Sequence, residues 1–197
     1  MIYIVRHGQT EKNKARLLQG RTNAPLNDAG RKQAEETAAR LREAGIRFDK
    51  VYSSPLIRAV TTAGILAPEV PLFIDERLIE IDYGPYDGTD LINPVPEILY
   101  FFKDFVNHPA PEGVEPLQKI VARLGDFLEE IRPEAEEKNI LISTHAIAMK
   151  GALEYLTPES RGGYWNKFIG NCAVYTAEVL PDGKWAAKAL YETYGLP

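Results

Sequence analysis

The sequence predicts an α/β fold, a three-layer sandwich with a mostly parallel central sheet and helices on both faces. Two observations carry this. Apolar runs of strand length alternate with longer segments whose apolar residues recur at helical spacing. Histidines or motif arginines also follow three of those strands, near residues 2–5, 50–53 and 140–143. That would gather them along one sheet edge, where open α/β sheets bind ligands.

The elements follow in order. Met1-Ile2-Tyr3-Ile4-Val5 is apolar, of strand length and rich in β-favouring side chains. Gly8 breaks it, and Thr10-Glu11-Lys12-Asn13 reads as a first helical turn capped by Thr10. Ala15 to Leu26 is irregular and polar. Asn27 caps a helix to about Ala44, with Ala34, Ala38 and Leu41 on one face and Gly45 as its stop. A strand near Lys50 to Ser53 precedes a helix from Pro55 to about Ala67, with Ser54 suited to cap it and Pro68 to end it. A short strand near Leu72 to Ile74 leads to Arg77-Leu78-Ile79-Glu80-Ile81-Asp82-Tyr83-Gly84.

Ile98 to Val106 reads as a short helix between Pro-rich loops, too apolar for a free surface. Packing of Ile98, Phe102 and Phe105 on the core is the plainer reading. A cap over a pocket at about 89–114, with Tyr100, Phe101, Phe102 and Phe105 near its mouth, is the functional one. The same apolar segment would equally serve a homodimer contact. Pro116 to about Ile131 is the strongest helix: Leu117, Ile120, Val121, Leu124, Phe127, Leu128 and Ile131 form one apolar stripe. Strand Ile140 to Ser143, helix Ala146 to Leu156 and a Gly-rich loop at Gly162-Gly163 follow. Two last strands, near Ala173 to Val179 and Trp185 to Leu190, flank the turn Pro181-Asp182-Gly183.

The chain has 197 residues, 45% hydrophobic and 26% charged, which suits one domain over 1–197 with a sizeable core. No apolar run approaches the ~20 residues that span a membrane. The N-terminus enters a strand without a secretory signal, and Cys172 is the single cysteine, so a cytoplasmic home is expected. Cys172 itself reads as a small buried side chain in a strand. A net charge of -5 argues against nucleic acid as partner, because backbone binding needs a basic surface. An acidic body with a local cationic pocket suits a small phosphorylated substrate.

The chemistry-bearing residues sit at strand–helix junctions. Arg6 and His7 lie where free N–H groups and a helix dipole favour an anion. Arg6 adds a bidentate cation, and His7 a nucleophile or proton carrier at neutral pH. Arg58 falls in the first turn of its helix, able to reach the same anion. Glu80 stands before the Gly84 turn, and the alternative for it is a solvent-facing residue of an alternating strand. His145 ends an apolar strand as His7 does.

Arg6-His7-Gly8-x-Thr10-x-x-Asn13, Gln19-Gly20-Arg21, Ser53-Ser54-Pro55-Leu56-Ile57-Arg58-Ala59, the Glu80 stretch and Ser143-Thr144-His145 resemble, in order, the signature of the histidine phosphatase superfamily. That family includes cofactor-dependent phosphoglycerate mutases and small phosphatases. The resemblance implies that His7 is transiently phosphorylated, that Arg6, Arg58 and His145 surround the phosphoryl oxygens, and that Glu80 is the proton donor. His145 would hydrogen-bond the developing charge, best when protonated. It further implies substrate contacts from Asn13, Gln19, Gly20 and Tyr83. The family usually has glycine where Ala146 stands. A methyl group there would crowd the phosphate if the backbone needed positive φ, and would cost nothing if the residue were helical.

The scheme requires no metal and no cofactor. His7, His108 and His145 are the only histidines, and His108 lies in a Pro-rich loop rather than a zinc motif. Between Thr89 and Arg123 the basic residues are Lys103, Lys119 and Arg123, with no adjacent pair to hold a second acidic group. The related mutases carry an added basic cluster here, so the resemblance ranks a phosphomonoesterase above a phosphoglycerate mutase, and a non-catalytic phosphate-binding module is the third alternative.

Overall fold

The computed structural model describes residues 1–192. Six strands, β1 (Ile2–Arg6), β2 (Lys50–Ser53), β3 (Leu72–Ile74), β4 (Ile140–Thr144), β5 (Val174–Val179) and β6 (Trp185–Tyr191), form one sheet in the order β3-β2-β4-β1-β5-β6. The first four run parallel, and β5 and β6 are antiparallel. Arg6 pairs with Thr144, so the residues after β1 and β4 emerge side by side.

Alternation along β1 splits the core. Ile2 and Ile4 face one layer, and Tyr3 and Val5 the other. Helices α2 (Asp28–Glu43) and α3 (Ile57–Leu66) cover the Tyr3 face through Ala34, Ala38, Leu41, Ala63 and Leu66. Helices α5 (Leu117–Glu137) and α6 (Ala146–Leu156) cover the Ile2 face. The predicted sandwich is therefore present, with helices on both faces. Two shorter helices, α1 (Glu11–Lys14) and α4 (Pro96–Lys103), lie in the connections after β1 and before α5.

Four local expectations change. Helix α5 continues past Ile131 to Glu137 with Pro133 inside it. Proline forfeits one backbone hydrogen bond, but the stripe continues to Ala135, which is buried in the core. Ser54 does not cap α3. Leu56 occupies that position, while the Ser54 hydroxyl takes the Leu56 N–H at 3.3 Å and turns to His145. Cys172 is buried but not in a strand: it holds φ 58° in the turn that reverses the chain into β5. Phe101 is fully buried in the core, and Tyr100 is exposed and stacked on His108, so neither lines a pocket mouth. Phe101 lies one turn after Ile98 on the inner side of α4. Phe102 and Phe105 are half-buried against the core.

Candidate active site

The chain turns sharply after β1. The His7 N–H still bonds the Thr144 carbonyl at 3.0 Å, and the Gly8 N–H reaches the Thr62 hydroxyl at 3.1 Å. A Cβ on Gly8 would lie 2.3 Å from the Gly30 carbonyl oxygen, so only glycine lets α2 approach this closely. Thr10 then caps α1 in a reciprocal box with Asn13, as the sequence predicts.

His7 is buried, and its Nδ1 lies 2.7 Å from the Gly8 carbonyl. A carbonyl only accepts, so Nδ1 carries the proton and Nε2 keeps its lone pair. Arg58 donates from Nε to that Nε2 at 3.2 Å. Burial first, then the charges of Arg58 and Arg6, hold the His7 pKa well below the usual histidine value. The ring is thus favoured in its neutral form, with the Nε2 lone pair turned toward Arg58.

The His145 ring lies 5.1 Å from that of His7, centroid to centroid. Burial, Arg58, His7 and Arg6, in that order, hold its pKa well below the ordinary range. The site thus favours a neutral His145, short of the protonated form in which it would donate best. Ser54 Oγ accepts from Leu56 and sits 2.7 Å from His145 Nε2. Its own proton is then free to donate to Nε2, which leaves the ring proton on Nδ1. His145 is able to donate without a charge.

Arg58, fully buried at the start of α3, donates to the Thr22 carbonyl at 2.8 Å and the Gly20 carbonyl at 2.7 Å. Burial lowers its pKa to about 10, with Glu80 and Asp87 opposing, so it is cationic at neutral pH. Arg6 donates from Nη1 to the Ile169 carbonyl at 2.6 Å. Glu80 follows a 3-10 turn (Glu76–Leu78) rather than sitting in a strand, and is 4% exposed. Its carboxylate accepts from the N–H groups of Ile81 at 3.0 Å, Ala148 at 2.9 Å and Ile147 at 3.2 Å. It closes the N-terminus of α6, where backbone donors and the helix dipole favour an anion.

The remaining expected residues collect around this set. Asn13 Oδ1 takes the Thr10 N–H, and Gln19 Oε1 takes the Thr10 hydroxyl at 2.7 Å. Gly20 has no room for a side chain: a Cβ would lie 2.7 Å from the Ile81 carbonyl and 2.9 Å from the Tyr83 ring. Tyr83 is buried, and burial and Glu80 push its pKa well above 10, so the phenol is neutral. Ala146 is the first residue of α6 with helical backbone, so its methyl group causes no strain.

Among the described residues, three buried side-chain nitrogens or oxygens lack a hydrogen-bond partner: Arg6 Nε, Gln19 Nε2 and His145 Nδ1. All belong to the expected set. Buried polar groups are nearly always satisfied, so three orphans in one motif group mark a place built for an acceptor-rich ligand. Arg6 Nε and Gln19 Nε2 are obligate donors, and His145 Nδ1 is one in the tautomer set by Ser54.

Some participants escaped the sequence reading. Asn171 donates to the His7 carbonyl at 2.9 Å and to Asn13 Oδ1 at 3.3 Å. Thr62 holds Gly8, and Ser54 acts on His145 rather than on a helix end. No group of three or more His, Cys, Asp or Glu side chains among the described residues is placed to hold a metal ion. No helix among them is long and apolar enough to cross a membrane.

The model of the histidine phosphatase superfamily (branch 1) matches residues 2–193. The chain belongs to that superfamily. A putative phosphoserine phosphatase of Hydrogenobacter thermophilus is 29% identical, covering 93% of this chain and 90% of that protein. A phosphoglycerate mutase-like protein of Arabidopsis thaliana is 32% identical, covering 93% and 81%. Among solved structures, a phosphoserine phosphatase variant of Entamoeba histolytica in complex with phosphoserine aligns with a TM-score of 0.81 at 24% identity, covering 94% and 93%. A mycobacterial glucosyl-3-phosphoglycerate phosphatase aligns with a TM-score of 0.82 at 21% identity, covering 98% of each chain. These structural likenesses carry the fold.

Proposed function

We propose that His7 is the phosphoryl acceptor of a metal-independent phosphomonoesterase acting on a small phosphorylated metabolite. The observation that carries this is the conjunction of a neutral His7, its Nε2 lone pair directed by Gly8, with the three unpartnered nitrogens of Arg6, Gln19 and His145. Phosphoryl transfer needs in-line positioning and donors on the non-bridging oxygens. Arg58 adds a cation already in contact with the nucleophile. The phosphatase names among the relatives agree with this reading. A single cysteine agrees with a cytoplasmic home.

The steps balance without a cofactor. Glu80 enters the step as the carboxylic acid: His7 Nε2 forms a bond to phosphorus as the bond to the leaving oxygen breaks, and Glu80 gives its proton to that oxygen, which leaves the carboxylate to the Ile81, Ile147 and Ala148 N–H groups. The phosphoimidazole carries positive charge, which the Nδ1–H bond to Gly8 stabilises. Glu80 then takes a proton from water as the water oxygen attacks phosphorus, and the P–N bond returns its pair to His7. Arg58 Nε–H moves from His7 Nε2 to a phosphoryl oxygen when substrate enters.

The mutase alternative finds less support. Arg123 is committed to Glu115 at 2.9 Å and to the Arg77 carbonyl, and Lys103 and Lys119 lie on the exposed sides of α4 and α5. Aryl phosphate hydrolysis with chelator present tests the reading. Inorganic phosphate should be released, and His7→Ala should abolish it along with an acid-labile phosphoprotein. Turnover that survives His7→Ala would defeat it. Interconversion of phosphoglycerates faster than their hydrolysis would establish the mutase instead.

A further inference from the structure

Glu80 is carried by irregular backbone, between the 3-10 turns at Glu76–Leu78 and Gly84–Tyr86. Sheltered backbone N–H and C=O groups are nearly always paired, and here side chains from distant segments pair them. Thr144 Oγ1 donates to the Leu78 carbonyl at 2.7 Å. Arg123 Nη1 donates to the Arg77 carbonyl at 2.6 Å. Glu115 Oε2 accepts the Asp82 N–H at 3.1 Å, and the Glu115 N–H donates to the Asp82 carbonyl at 2.8 Å. Arg21 Nε reaches the Glu80 carbonyl itself at 3.4 Å.

Arg123 and Glu115 also hold each other. Arg123 Nε lies 2.9 Å from Glu115 Oε1, and its Nη2 lies 3.3 Å from Oε2. This is a forked ion pair whose side chains are only 16% and 11% exposed. Glu115 stands just before α5 and Arg123 in its second turn. One unit on α5 thus grips the chain on both sides of Glu80, at Arg77 and at Asp82.

Attachment alone does not explain the pair. Leu78, Ile81 and Tyr83 are buried in the core and already fasten this stretch. Apolar residues of similar volume often serve a sheltered site as well as an ion pair does. What apolar contact leaves unset is the turn of the peptide planes around Glu80. That turn decides where the carboxyl points, and a misplacement near 1 Å costs on the order of 100-fold in rate.

We propose that Arg123 and Glu115 are positioning residues for Glu80: their pair fixes the backbone before and after it and so aims its carboxyl at the leaving oxygen. This rests on the reading of Glu80 as the proton donor and adds to it the groups that set its aim.

The experiment compares kcat/KM for benzyl phosphate and 4-nitrophenyl phosphate. A benzyl alkoxide needs a proton as it leaves, whereas a nitrophenolate leaves as a stable anion. Both rates come from one preparation, so their ratio does not depend on the fraction that is folded. Glu80→Gln should lower the benzyl-to-nitrophenyl ratio roughly 100-fold, as expected when a general acid is lost. Arg123→Met should lower it roughly 10-fold or more. Arg123→Lys keeps a cation beside Glu115 but has one amine in place of a fork that makes three bonds. It should lower the ratio by a smaller factor, and it keeps the test open if Arg123→Met does not fold. A merely structural pair would slow both esters equally. An unmoved ratio in the Arg123 variants, with the ratio lowered in Glu80→Gln, overturns the proposal and leaves Glu80 as the acid. A ratio unmoved in Glu80→Gln removes Glu80 as the acid and the proposal with it.

Discussion

The Nε–H of Arg58 meets Nε2 of His7 at 3.2 Å. A proton on that Nε2 would set N–H against N–H, next to a guanidinium. The contact therefore selects the uncharged ring. The Gly8 carbonyl at Nδ1 makes the same selection from the other side, since it fixes where the single ring proton sits.

The ring signals of His7 and His145 should stay in their neutral form at pH 6 by NMR, where an unperturbed histidine would be mostly protonated. Below about 6.5 the unfolded chain binds protons at these positions and the folded chain does not. Stability from this pair is thus full above that pH and is lost as pH falls toward the folded values. Denaturant midpoints should be lower at pH 5 than at pH 7.5. Titration of both rings at or above 6.5 would show that the site does not exclude the charged form.

Ser54→Ala removes the partner of His145 Nε2 and leaves the ring tautomer unset. We expect kcat to fall roughly tenfold or more, short of the loss seen when a whole transition-state donor is removed. Folding stability should drop by about 1–2 kcal/mol, since Ser54 is fully buried. An unchanged kcat would show that His145 finds its tautomer without the hydroxyl.

Gly20→Ala places a methyl group against the Ile81 carbonyl, beside Glu80. Backbone cannot yield as a flexible side chain does, so the acid segment must shift. A displacement near 1 Å costs on the order of 100-fold in rate. The expected result is a kcat loss that exceeds any change in KM for an aryl phosphate. Full activity would mean that the Glu80 segment tolerates displacement.

Phe101→Ala and Phe102→Ala should separate. Phe101 is fully buried, so its truncation should cost about 3–5 kcal/mol and lower Tm while leaving ratios between substrates intact. Phe102 touches the Tyr83 ring edge-on, and its loss should change those ratios with a smaller effect on Tm. Selectivity that follows Phe101 instead would show that core packing under α4, and not the Phe102 ring, sets the ratios.

What the sequence made legible is what local pattern controls. An apolar run followed by Arg6-His7 or by His145 is a strand that ends in a polar side chain, and β1 and β4 end there, with both histidines buried. Thr10 and Asn27 cap their helices for the same reason. Glu80 was harder to read, because its burial depends on N–H groups at residues 147 and 148, 67 and 68 positions away. The fate of Ser54 turned on His145, 91 positions away. Helix α5 runs past the last residue of the stripe read from the sequence because Ala135 is also buried in the core, which outweighs the one backbone bond that Pro133 forfeits. Phe101 and Phe102 differ only in helical phase, and that phase is set by the core beneath α4.

The position of β1 in the sheet has a consequence for synthesis. It is the first strand to be made, yet its two neighbours are β4 and β5, from residues 140–144 and 174–179. Until both are made, Ile2 to Val5 has no place to pair, and His7 has no Thr144 carbonyl to anchor its backbone. Nascent chains thus hold an apolar strand with both edges open for most of their growth, which is the form that invites wrong pairing. A chain that stops short of β5 would thus carry the residues after β1 without the sheet that positions them.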